Sequence, residues 1–268
     1  ASVGTASADN VVRYVQENSL SVDYILETHV HADHLSGAHY LRRLLGGLVG
    51  IGAEITGVQS TIAEIYSDSS PLARNGSQFD VLLEDEHRLA FGSLDIRVLH
   101  VPGHTPGCVA YLIGDALFAG DTLFMPDSGT ARCDFPGGDA RRLYRSIQRL
   151  LGLADTTRVF VCHDYQPNGR SLQYVASIQT HRDHNVHVNQ TVSEASFVTM
   201  RRQRDATLGT PKLMLPSLQV NVRGGNFPRH PITGEPILHL PVNKLGAVGT
   251  RDIEEIFPRL HERVDAMD

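Results

Sequence analysis

Five of the 14 histidines in this 268-residue chain fall in short segments whose spacing suits metal chemistry. Thr28-His29-Val30-His31-Ala32-Asp33-His34 gathers three imidazoles and a carboxylate within six residues. Three later segments add the rest: Pro102-Gly103-His104-Thr105-Pro106-Gly107, Gly120-Asp121-Thr122 and Cys162-His163-Asp164-Tyr165. A first-row transition metal takes neutral imidazoles and carboxylates held convergently. In extended backbone, residues i and i+2 project to one side, so His29 and His31 can converge, and a turn after Ala32 brings Asp33 and His34 back. Gly103 and Gly107 flank His104 with residues free to take backbone angles that a side chain resists. The other nine histidines lack a motif and read as core, turn or capping residues.

These segments need elements that deliver them to one place. Each follows an expected strand, where loops collect at a sheet edge. Val22, Tyr24 and Leu26 alternate over residues 21–27, a strand running into Thr28-His29. Ahead of it, residues 9–18 read as a helix capped by Asp9, and after it residues 35–45 read as a helix stopped by Gly46-Gly47. A short strand is expected over 48–53, then a polar helix or loop to Tyr66. From Asp80 the texture turns to short strands, at 81–83, 87–91, 94–101, 108–113 and 116–119. A helix over 139–151, a strand over 158–162, and helices over 171–184 and 193–208 follow. Thr191 and Glu194 have capping-box spacing, with Ser193 as the rival cap. The tail, 212–268, is rich in Pro and Gly, with one short helix expected over 251–263. The order suggests sheets covered by helices, a layered α/β architecture. We divide it into a catalytic domain, 1–190, and an extension, 191–268, that packs on it.

Composition narrows the partners. Twenty-four Lys and Arg against 30 Asp and Glu give a net charge of −6, which makes nucleic acid or an anionic membrane surface an unsuitable partner. No apolar stretch reaches the ~18 residues a membrane span needs, and residues 1–10 lack the pattern of a signal peptide. Three scattered cysteines, Cys108, Cys133 and Cys162, form no disulfide framework and fit a reducing compartment. The chain reads as soluble and cytoplasmic.

Taken together, the ordered segments resemble the metallo-β-lactamase superfamily, whose signature is a His-x-His-x-Asp-His loop followed by later His, Asp and His residues. The resemblance covers about Asp9 to Gly169. Three further segments, Gly129-Thr130-Ala131-Arg132-Cys133-Asp134-Phe135, His163-Asp164-Tyr165 and Asn221-Val222-Arg223-Gly224-Gly225, look like its persulfide dioxygenase branch, and most like the bacterial β-lactamase hydrolase-like members.

That resemblance implies an αββα sandwich, with the metal where both sheets end and with a Pro/Gly-rich C-terminal extension. Because such a sandwich begins with several strands before its first helix, the first sheet is expected to be short of strands. The implied activity is iron-dependent oxidation of glutathione persulfide, or a similar small persulfide, by O₂ to sulfite and thiol. One Fe(II) per chain would be held by His29, His104 and Asp121. His31, Asp33, His34 and His163 would orient those ligands, and Tyr165 would face the substrate. Arg223 would take a glutathione carboxylate; Arg132 is either a substrate contact or the partner of Asp134. Cys133 is either a sulfur acceptor near the metal or an inert buried thiol, and Cys108 and Cys162 read as core. The resemblance also suggests a homo-oligomer, a dimer. The rival activity is a binuclear zinc thioester hydrolase of the glyoxalase II kind, which would use the same histidines for two ions. A non-catalytic metal- or sulfide-responsive binding protein is the remaining alternative.

Overall fold

The computed structural model describes residues 3–66 and 71–241. Helix α1 (Ala6–Glu17) leads into strand β1 (Tyr24–Leu26), helix α2 (Ala38–Leu45), strand β2 (Leu48–Gly52), helix α3 (Ile55–Ile65) and strand β3 (Val81–Leu83). Strands β1, β2 and β3 form a parallel sheet in that order. The second sheet is β4 (Arg88–Phe91), β5 (Leu94–His100), β6 (Val109–Ile113), β7 (Ala116–Phe118), β8 (Arg158–Phe160) and β9 (Val175–Ser177), again in chain order. All of its pairings are antiparallel except β7 with β8. Among the described residues the first sheet thus has three strands and the second six.

Apolar burial stacks the layers. Leu83, Leu89, Ile96, Val98, Val109 and Tyr111 fill the space between the sheets. Val49, Ile51, Ile55, Val58 and Ile62 join β2 to α3 on the outer face of the first sheet. The second sheet's outer face meets α4 (Ala140–Leu151), α5 (Ile178–His184) and α6 (Glu194–Asp205) through Leu117, Leu143, Ile147, Leu150, Ile178 and Phe197. The result is helices, sheet, sheet, helices. Gly52 sits where the sheets come closest: a Cβ there would lie 2.8 Å from Val109 Cγ1 and 2.9 Å from the Gly107 carbonyl. The Val109 N–H to Thr28 C=O bond (2.9 Å) and the Tyr111 hydroxyl on the Glu27 C=O (2.7 Å) tie the sheets together directly beside the His29 loop.

Several sequence expectations need correction. Asp9 lies inside α1 and accepts from the Tyr40 hydroxyl (2.6 Å), while Thr5 holds the cap position. The helix expected over 171–184 is split, because Val175 and Ala176 pair with β8 and helix α5 begins only after Ser177, which caps it by accepting the Thr180 N–H. Ser193, not Thr191, caps α6. The tail is not irregular throughout, since α7 (Met214–Asn221) is a helix with Pro216 in its first turn, where a missing N–H is harmless. Buried on several sides, α7 carries no amphipathic pattern, which is why periodicity misses it. The helix expected over 251–263 lies outside the described residues. Cys162 follows the end of β8 and is exposed, so only Cys108 of that pair is core.

One buried ion pair braces the second sheet's helices against the loop after β7. Arg201, 1 % exposed, binds Asp205 at 2.6 Å and donates to the Thr130 C=O at 3.1 Å, while Asp205 accepts the Cys133 N–H at 3.0 Å. Removing one member leaves the other charge buried and unpaired. Arg201→Met is therefore expected to lower unfolding free energy by about 3–5 kcal/mol, read from the shift in urea midpoint; a loss below about 1 kcal/mol would contradict the role assigned to the pair.

Candidate metal centre

Strands β5, β7 and β8 run in the same direction, and their C-terminal ends, together with that of β1, deliver the four segments to one edge of the sandwich. His29 follows β1, His104 lies between β5 and β6, Asp121 stands in a 3-10 turn after β7, and His163 follows β8. His29, His104 and Asp121 are buried, and one donor atom from each lies within 4.8 Å of the others.

The tautomer of His104 is fixed by its surroundings. Its Nδ1 lies 2.7 Å from the Arg132 carbonyl, which can only accept, so Nδ1 carries the proton. In the neutral ring Nε2 then carries a lone pair, and it faces Asp121 Oδ2 at 3.7 Å. His29 Nε2 stands 3.8 Å from the same oxygen, while its Nδ1 meets the Thr28 hydroxyl at 3.0 Å. Burial, and then the neighbouring imidazoles, push the His29 pKa well below its ordinary value, so the ring is neutral. The His104 Nε2 lone pair and the Asp121 carboxylate, with His29 Nε2 beside them, make a buried pocket of donor atoms that suits a cation. The separations exceed a hydrogen bond and suit one ion about 2.0–2.2 Å from each atom. Asp121 Oδ1 and His31 Nδ1, both buried with no hydrogen-bond partner, point to the same need. The donor set fits a metal ion of the imidazole–carboxylate class.

A second set of groups borders the first. His163 Nε2 lies 3.5 Å from Asp121 Oδ1 and 3.6 Å from Asp33 Oδ2. Asp33 and His34 are joined at 3.1 Å, which lowers the Asp33 pKa to about 2 and raises that of His34. The His31 ring centroid lies 4.1 Å from that of His29 with the planes tilted by 51°, on the side the i, i+2 spacing predicts, but its Nε2 lies 3.5 Å from Glu27 Oε2. Glu27 in turn takes a short hydrogen bond from the Ser36 hydroxyl. Gly103 has the positive φ its position calls for (+146°), whereas Gly107 does not.

A cavity of about 340 Å³ opens over the metal ligands, walled by Phe124, Phe135, Tyr165, Arg132 and Thr130, with Arg204 also contributing. Tyr165 lines it, largely exposed, and stacks on the His163 ring. Arg132 also lines it, but the guanidinium is engaged by Asp134 through two bonds of 2.6 Å and by the Gly209 carbonyl at 2.8 Å. Its part is to shape the wall rather than to meet a substrate. Arg223 does not line this cavity; it donates to the Gln219 carbonyl at 2.7 Å on α7. The Cys133 thiol also points elsewhere, 3.3 Å from Asp205, and burial raises its pKa to about 12. An un-ionised thiol turned away from the metal is a poor sulfur acceptor.

Sequence reasoning missed Glu27, two residues before the first histidine, as well as Phe124 and Arg204. It also flagged the segment containing Asn221 without seeing that this side chain reaches the His31 and His34 carbonyls.

The family profile described as "Metallo-beta-lactamase superfamily" matches residues 3–163. A Burkholderia pseudomallei protein named "Probable metallo-hydrolase" is 49 % identical over 251 residues, covering 90 % of this chain and 85 % of the relative. The beta-lactamase hydrolase-like protein of Agrobacterium fabrum is 48 % identical over 90 % of this chain, which spans only 56 % of that relative. The mitochondrial persulfide dioxygenase ETHE1 of Homo sapiens is more distant, 32 % identical over 59 % of this chain and 56 % of its own length. Among solved structures, ETHE1 from Myxococcus xanthus superposes with a TM-score of 0.67 at 28 % identity, covering 82 % of this chain and 85 % of that one.

Two outcomes follow from the geometry. A Cβ at Gly103 would lie 2.3 Å from Leu143 Cα, so Gly103→Ala must shift the backbone that carries His104. Metal affinity is expected to fall at least about tenfold in chelator competition, the scale seen when groups supporting a ligand are disturbed; unchanged affinity would contradict the placement. The second concerns the metal-free protein. Among the described residues, His29, His39, His181 and His187 have pKa values lowered chiefly by burial, the last two to about 4, whereas that of His34 is raised. Lowered histidines take up protons on unfolding between their folded values and about 6.5, so they cost stability as pH falls through that window; His34 acts oppositely. Urea midpoints are expected to drop from pH 7 to pH 5, and a rise would contradict the balance.

Proposed function

Because the chain belongs to the metallo-beta-lactamase superfamily, we propose that its metal centre is that of an iron-dependent persulfide dioxygenase acting on glutathione persulfide or a similar small persulfide. The overall conversion is RSSH + O₂ + H₂O → RSH + SO₃²⁻ + 2H⁺, in which the terminal sulfur is oxidised, O₂ is reduced and the S–S bond breaks. The observation that carries this reading is the compact donor set of His29, His104 and Asp121, with His31 Nε2 directed to Glu27. His29, His104 and Asp121 would hold an Fe(II) ion, which would supply the one-electron chemistry that O₂ requires. The fold match to ETHE1 from Myxococcus xanthus and the sequence match to the human persulfide dioxygenase support the same choice.

The chain's own residues supply the rest. His29 and His104 offer lone pairs in fixed orientations, and Asp121 offsets the charge of the ion. Phe124, Phe135 and Tyr165 give the sulfur a largely apolar wall that limits water near the reacting atoms. Arg204 gives the cavity a guanidinium for an anionic thiol tail. Asp33 and His163 stand beside Asp121 as a pair able to hold and pass a proton. Three free cysteines suit the reducing cytoplasm in which we place the protein.

One observation favours a second reading. His163 Nε2 lies within 3.6 Å of both Asp33 Oδ2 and Asp121 Oδ1, and donor atoms of His31, Asp33 and His34 lie within 4.8 Å of one another, as a second ion of a binuclear zinc thioester hydrolase would need. A single protocol separates the two: metal content of anaerobically purified protein, oxygen uptake with glutathione persulfide, and thioester hydrolysis in parallel. About one iron per chain with oxygen uptake, lost together with metal in His104→Ala, is the expected result. Two zincs with thioester turnover and no oxygen uptake would overturn the proposal in favour of the hydrolase. Bound metal with neither turnover would overturn both in favour of a binding protein.

A further inference from the structure

Helix α7 ends on Asn221, a side chain 4 % exposed and 185 to 190 residues along the chain from the metal loop that it touches. Its Nδ2 donates to the His31 carbonyl at 2.9 Å and the His34 carbonyl at 2.8 Å, and its Oδ1 accepts the Ser36 N–H at 2.8 Å. The amide orientation is unambiguous, since two of these partners can only accept and the third can only donate. One planar group thus satisfies three backbone groups across six residues that belong to no strand or helix. Such a segment must find partners for its polar groups outside any ladder.

The helix carrying Asn221 is also held by groups outside the metal loop. Gln59 on α3 donates to the Val222 carbonyl at 3.1 Å and accepts the Gly76 N–H at 3.0 Å. Gln219 exchanges two bonds of 2.8 Å with the His239 backbone, and the Tyr66 hydroxyl donates to the Leu215 carbonyl at 2.5 Å. Asn221 is therefore a polar tie between this helix and the loop bearing His29, His31, Asp33 and His34, beside the apolar cluster that Met214, Leu218 and Val222 share with Val30 and Ala32. No other protein-forming side chain of that length offers two donors and an acceptor: Asp cannot donate, Leu can do neither, and Gln is one carbon too long.

We propose that Asn221 is a positioning residue of the metal centre, holding the backbone of residues 31–36 so that Asp33 keeps its place beside His163 and His31 its place against His29 and Glu27. It acts without touching metal or substrate, and it applies whichever reaction the centre performs. Metal affinity, not only fold stability, should depend on it.

The test uses the full chain stripped of metal, with Fe(II) under anaerobic conditions and Zn(II) in air as probes, each in competition with a chromogenic chelator. Thermal melting of the metal-free protein is recorded beside it. Asn221→Asp keeps size and one acceptor but sets a carboxylate oxygen against two carbonyls. Asn221→Ser keeps a single hydroxyl and carries the comparison if the first variant does not fold. Gln219→Met is the control: it loosens α7 from the tail and leaves the Asn221 contacts intact. We expect metal binding about 10- to 100-fold weaker in Asn221→Asp, a smaller loss in the same direction in Asn221→Ser, and a change under about twofold in Gln219→Met even where its melting temperature falls. Unchanged affinity in the Asn221 variants would overturn the proposal. So would an equal loss of affinity in Gln219→Met at a matched loss of melting temperature, which would reduce Asn221 to a general stabiliser of the fold. Neither result depends on which metal the cell supplies or on turnover, so failure here is separable from failure of the dioxygenase reading.

Discussion

The constraint on which the rest of this molecule depends is a buried carboxylate facing lone pairs. Asp121 Oδ2 stands 3.7–3.8 Å from two imidazole nitrogens, and the Arg132 carbonyl obliges one of those rings to carry its proton on the far side. Without a cation the arrangement costs energy, because atoms of like polarity are removed from water with nothing between them. With one it becomes a preformed ligand set whose strain is relieved on binding. The fold is organised to tolerate the unliganded cost: strand ends fix each ligand, and the sheets are closely joined beside them through Gly52, Val109 and Tyr111.

Around that centre the supporting groups divide by origin. The first sheet's side provides Glu27 and Ser36, which hold His31 and the loop's own turn. The second sheet's side provides the wall from Thr130 to Phe135, braced from below by the buried Arg201–Asp205 pair and pinned by Arg132 to Asp134. Cys133 belongs to that brace rather than to the cavity, which explains why a cysteine so near the ligands in sequence is chemically quiet. The tail supplies Asn221. A centre that draws on β1, the β5–β6 and β7–α4 loops, the end of β8 and α7 cannot be assigned to one stretch of chain, and the residues after 190 take part in building it.

How much of this the sequence disclosed follows from what kind of information each residue carries. The four segments were legible because each follows an expected strand, while the choice of His29, His104 and Asp121 among their residues came from the family resemblance; the structure gathers all three. The Arg132–Asp134 pair was legible as one reading because it spans two residues. The place of Arg223 was not legible, since a guanidinium beside glycines says nothing about which way it points; in the structure it donates to the Gln219 carbonyl, outside the cavity wall. Glu27 and Asn221 were invisible as participants for a related reason: their partners are backbone groups or distant side chains, and a single sequence carries no distance. The strand at Val175 and helix α7 escaped because the first is short and pairs at long range with β8, and the second lacks an apolar face for periodicity to find.

The central claim is that His29, His104 and Asp121 hold one metal ion and leave Asp33 and His163 free beside it. The measurement that addresses it most directly is X-ray absorption fine structure at the metal edge of anaerobically isolated protein. The account predicts an iron edge with imidazole and oxygen scatterers and no metal–metal distance. A zinc edge with a metal–metal vector at about 3.5–4 Å would contradict it.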